Sequence, residues 1–78
     1  DKGAALQAHK MQQDARDAAQ AIISNQALSH EAKARALQDI QRAGQQAISG
    51  VIGERGFKYY QRKGGFSLPS LPPAPAQP

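Results

Sequence analysis

The residues with the most chemical potential lie in one stretch, Glu54-Arg-Gly-Phe-Lys-Tyr-Tyr-Gln-Arg-Lys63. Here Arg55, Lys58, Arg62 and Lys63 are interleaved with Phe57, Tyr59 and Tyr60. Cations beside tyrosine rings suit phosphate contact combined with base stacking. They equally suit a protein contact anchored by Tyr and Arg. Four cations are few for independent nucleic-acid binding, so the protein contact carries more weight. A lipid surface would require a broad apolar face beside the charges, which this stretch lacks.

Other chemistry-bearing residues form no constellation. His9 and His30 are the only histidines and fall on different helices, with no Cys and no His-x-x-x-His, so a zinc site is not expected. Asp14 and Asp17 lie one turn apart beside Arg16, a solvated helix face rather than a catalytic pair. The serines lack Gly-x-Ser-x-Gly surroundings. The Gly-x-x-Gly pairs at 50–53 and 53–56 lack the Lys-Ser/Thr of a phosphate loop. These absences argue against an enzyme, a cofactor or a small-molecule substrate.

The elements that position the basic stretch are helical. Ala4, Ala8, Met11, Ala15, Ala18 and Ile22 recur at spacings of three and four, predicting an amphipathic helix over 4–24. Ser29 is a suitable N-cap for a second helix over about 30–52, with Glu31 in its first turn. Its stripe is Leu37, Ile40, Gly44, Ala47 and Val51, widened by Ala36, Ile48 and Ile52. The short link predicts an antiparallel hairpin, pairing Ala18 with Leu37, Ala15 with Ile40, Met11 with Gly44 and Ala8 with Ala47. Three of those layers set a large side chain against a small one. A short third helix follows Gly53 and stops at Gly64-Gly65. Its Phe57 and Tyr60 should fold back near Leu6, Ile48 and Ile52.

Residues 66–78 hold all five prolines and predict an extended, polyproline-II-like tail. Pro-x-x-Pro units run Pro69 to Pro72, Pro72 to Pro75 and Pro75 to Pro78, without the flanking Arg or Lys of an SH3 ligand. The tail reads as a linker, or as a segment laid in a groove of a larger assembly with Phe66, Leu68 and Leu71 as anchors.

Composition sets the energetic frame. The 78 residues carry a net charge of +4 and no Cys, with 15 Ala and 11 Gln against 14 Leu, Ile, Val, Phe and Met combined. So few large apolar groups predict a chain that is marginal alone and stabilised by association. The longest apolar run, Ala21 to Ile23, is far too short to span a bilayer. Positive charge is concentrated at 54–63, the first 52 residues being nearly neutral. Residues 18–29 and 43–53 carry no charged side chain, so more than one side of the latter segment should be covered. A chain that begins at Asp1 rather than Met reads as a processed form or a fragment.

Ala27-Leu28-Ser29-His30-Glu31-Ala32-Lys33, followed by Leu37, resembles the helix-opening Leu-Thr/Ser-x-Glu/Gln pattern of small bacterial envelope proteins of the Spy/CpxP group. The continuation through Gly53-Glu-Arg-Gly-Phe-Lys-Tyr-Tyr60 is similar to the closing segment of secreted helical proteins. The resemblance covers residues 27–63 and implies a bacterial, extracytoplasmic (periplasmic or secreted) interaction protein. It departs from that group in its single short hairpin and Pro-rich tail.

The resulting expectation is an all-α chain: an antiparallel hairpin plus short helix over 1–63, and an extended Gly/Pro-rich tail over 64–78. It should act as a non-enzymatic structural subunit that docks on a protein assembly or self-associates. Partner contacts are expected at Ile48, Val51, Ile52, Phe57, Tyr59, Tyr60, Phe66, Leu68 and Leu71, with charge contacts from Arg55, Lys58, Arg62 and Lys63. A nucleic-acid module using 55–63 is the alternative, and a periplasmic holdase-like chaperone a third reading.

Overall fold

Alanine and glutamine favour helix, and the first proline is Pro69, so nothing in the earlier chain removes a helical hydrogen bond. A computed structural model describes residues 2–74. In it two helices, α1 (Lys2–Ser24) and α2 (His30–Arg62), pack together as a hairpin, with no strand among the described residues. The body is long and thin, 53 × 19 × 15 Å.

Polar groups at the turn close both helix ends. The Ser29 side chain, at φ −68° and ψ 162°, accepts from the Ala32 N–H at 3.1 Å. That contact satisfies one of the donors left over at the start of α2. Asn25 forms an Asx turn, its Oδ1 accepting from the Ala27 N–H at 2.9 Å. Lys33 Nζ reaches across from the first turn of α2 and donates to the Ile23 carbonyl at 2.7 Å. A cation is thereby placed on the negative end of the α1 dipole.

The sequence reading ends the second helix near 52 and opens a separate one after Gly53. The backbone does break at Gly53, which leaves helical geometry at φ 78° and ψ 167° and kinks α2, with helical residues on both sides of it up to Arg62. At the far end the two glycines stop the helix. The Gly64 N–H donates to the Gln61 carbonyl at 3.0 Å and the Gly65 N–H to the Tyr60 carbonyl at 2.9 Å, with Gly64 at φ 76°. This is a Schellman closure, and its left-handed residue is glycine.

The seam between the helices is slightly rotated from the expected one. Ala8, Ala19 and Ile48 are buried, whereas Ala18 and Ala47 are exposed. Ile48, not Ala47, therefore joins Ala8 in the core. Leu6 is also 71% exposed and takes no part in the core, while Phe57, Tyr60 and Ile52 do pack against its edge.

The remaining core residue comes from beyond the helices. Phe66 is 4% exposed and lies against Ala8 and Ile48. Its ring occupies the space that a side chain at Gly44 would need. The expected layer of Met11 against Gly44 is thus filled by Phe66, with Met11 packed beside the cluster.

Candidate functional site

Two surfaces follow from this packing: the seam covered by the returning chain, and the part of the seam left open.

The covered part begins at the Schellman turn, which sends the chain back toward α1. The Phe66 N–H donates to Gln61 Oε1 at 2.6 Å, and Gln12 Nε2 donates to the Ser67 carbonyl at 2.9 Å. Gln12 is buried, and its Oε1 has no hydrogen-bond partner. Leu68, Pro69, Ser70 and Leu71 then line a hollow with Leu37, Gln41 and Gln45 of α2. Leu71, Pro72 and Pro73 reach Ile23, Leu28 and Lys33 at the turn. The segment runs along the hairpin from its middle to the connecting loop. The Pro-x-x-Pro units that include Pro75 and Pro78 extend outside the described residues.

Ile48 and Phe66, expected as partner contacts, therefore face inward. With 0% and 4% exposure they offer no surface to a second molecule. Their large apolar side chains fill the core that two alanine-rich helices leave incomplete. Leu68 and Leu71 are half-buried against the chain's own α2.

Among the described residues, the part left uncovered is the end of the hairpin away from the turn. Ala4, Ala5 and Ala8 of α1, Val51, Ile52, Gly56, Tyr59 and Tyr60 of α2, and the capping residue Lys63 bound a groove of about 490 Å³. Four of its nine lining residues are Ala or Gly and two are tyrosines. Tyr59 is 58% exposed. The Arg62 guanidinium and Lys63 ammonium lie 5.9 and 5.7 Å from the centre of its ring, within cation–π range. The structure thus brings Val51, Ile52, Tyr59, Tyr60 and Lys63 together. Phe57 and Lys58 line a different hollow with Gln61 and Arg62, and Arg55 is exposed.

Gln12, Gly44, Ala4, Ala5 and Gly56 escaped the sequence reading as site residues. Gly44 carried a usable signal, because a glycine on the apolar stripe of a helix marks a place where another group approaches closely. Among the described residues no group of three or more His, Cys, Asp or Glu is placed to hold a metal ion. No helix is long and apolar enough to cross a membrane. The ion pairs, Lys10 with Asp14 at 3.2 Å and Arg42 with Asp39 at 4.0 Å, are exposed pairs within single helices and add little stability. No family model, curated protein or solved structure matches the chain.

Proposed function

We propose that this chain is a non-enzymatic interaction subunit that docks on a protein partner, or on further copies of itself, through the open end of its hairpin. The observation that carries the reading is the groove lined by Ala4, Ala5, Val51, Ile52 and Gly56, left open among the described residues. Apolar seam of this kind is normally covered in a finished fold. In this reading residues 54–62 act as a short third helix set off by the Gly53 kink, holding Tyr59 and Tyr60 over the groove. Residues 66–74 act as an extended strap that closes the rest of the seam. The Spy/CpxP-like opening at 27–33 supports a bacterial, extracytoplasmic setting.

Site-specific photo-cross-linking tests the proposal. A photoreactive phenylalanine analogue replaces Tyr59 in one sample and Gln38, on the strap side, in another. A discrete protein adduct, or a homodimer, from the Tyr59 position alone is expected. Equal diffuse labelling from both positions, or none, refutes it.

The second reading, a nucleic-acid module, draws on the Arg62 and Lys63 contacts with Tyr59. It requires binding of a single-stranded oligonucleotide that falls steeply with salt and is lost when Arg55, Lys58, Arg62 and Lys63 are neutralised.

A further inference from the structure

We propose that the occupant of the open-end groove is an amphipathic helix with an acidic polar face, supplied by a different protein and not by a second copy of this chain. The inference rests on the docking function proposed above and names the partner's chemistry.

Shape comes first. The groove lies between two antiparallel helices, and the small side chains lining it, Ala4, Ala5, Ala8 and Gly56, let a third helix approach closely. Beyond the kink at Gly53, the helical wall from Glu54 to Arg62 is about 12 Å long at 1.5 Å per residue, enough for about two turns of a docked helix. Such a helix presents apolar residues at i, i+3, i+4 and i+7, which Val51, Ile52 and the tyrosine rings can receive.

Charge then selects the partner. Lys63 is the charged residue lining the groove. Arg62 adds a second cation beside it, its guanidinium 5.9 Å from the centre of the Tyr59 ring that lines the groove, while Lys58 lines the neighbouring hollow; near this end the sequence also holds Lys2 and Arg55 against Asp1 and Glu54. Residues flanking the apolar face of the docked helix meet this basic rim, so carboxylates there are attracted and ammonium groups repelled. The same rim disfavours a twofold homodimer. Isologous contact sets the same patch of each copy against the other, and both patches are basic. A bare polyanion fits less well, because it has nothing to place on the alanine and valine lining.

The test titrates the full chain, observed by NMR, with three helical peptides of about 14 residues, roughly 21 Å long. All share one leucine face; the polar face is Glu, Gln or Lys. The expected result is that the Glu-faced peptide binds about tenfold or more tightly than the Gln-faced one. The Lys-faced peptide is weakest, and shifts are confined to Ala4, Ala5, Val51, Ile52, Gly56, Tyr59 and Tyr60. Lys63→Gln removes much of the charge preference. Lys63 caps α2 through its backbone N–H, so the fold is kept. Ala5→Glu, at an exposed helical position, abolishes binding. Equal binding of all three peptides overturns the acidic partner while leaving the docking reading intact. No binding of any peptide overturns both. An oligonucleotide that shifts the same residues at lower concentration than the Glu-faced peptide, or a dimer that buries them without peptide, also overturns the inference.

Discussion

Replacing Gly44 by alanine should destabilise the protein, against the ordinary preference of a helix interior. In an open helical position the change is worth about 1 kcal/mol in favour of alanine. At Gly44 the new methyl would overlap the Phe66 ring, which is 96% buried and cannot be accommodated without leaving its place. Exposing a buried Phe costs about 1.5–3 kcal/mol, so the net loss is about 0.5–2 kcal/mol. At about 4–8 °C per kcal/mol for a domain of this size, the midpoint should fall by roughly 2–15 °C. Gly50 supplies the internal control. It lies in the same helix with open space where a side chain would go, and Gly50→Ala should stabilise by up to about 1 kcal/mol. Thermal and urea melts followed by circular dichroism measure both. Adding Phe66→Ala completes a double-mutant cycle, in which Gly44→Ala becomes harmless once the ring is gone. Equal effects of alanine at 44 and 50, or an unchanged effect at 44 without Phe66, would refute the placement of the ring.

Three further outcomes follow from the same packing. A chain ending at Gly65 loses Phe66, exposes Ala8 and Ile48, and should lose about 1.5–3 kcal/mol while associating at concentrations where the full chain does not; light scattering beside a urea melt reads both. Gln12→Leu removes the orphaned buried oxygen, whose burial costs about 1–3 kcal/mol, against one hydrogen bond worth about 1. Global stability should hold or rise, while amide exchange and proteolysis around Ser67 speed up; a loss above about 2 kcal/mol would contradict this. Gly53→Ala places a side chain at a backbone angle reserved for glycine, at a cost of about 1–3 kcal/mol; faster amide exchange across 54–62 is expected, with 30–50 unaffected.

The local signals of this fold were plain in the sequence. Ser29 does cap α2, the Gly64-Gly65 pair does stop it, and the two alanine-rich segments do form a hairpin. The register was less legible, since Ala18 and Ala19, or Ala47 and Ile48, differ by only 100° on a helix and alanine carries almost no directional signal. The tail was harder still. Proline spacing describes what residues 66–74 cannot form, and says nothing about where they lie. Their destination is written in Gly44 and Gln12, a missing side chain and a buried amide, over 20 residues away along the chain. The groove was partly visible, because Val51, Ile52, Tyr59 and Tyr60 were all singled out. Its α1 wall was not, because Ala4 and Ala5 look like any other alanines.

The contact of Phe66 with Ala8 has a kinetic side. Helices and their short connection form in microseconds or less, but Phe66 lies 58 residues after Ala8 in the chain. During synthesis, at about 5–20 residues per second, the first helix waits several seconds for the ring that completes its interior. Over that interval the nascent chain displays its alanine seam to whatever is nearby, so a binder of the newborn polypeptide would meet a surface that the mature protein hides.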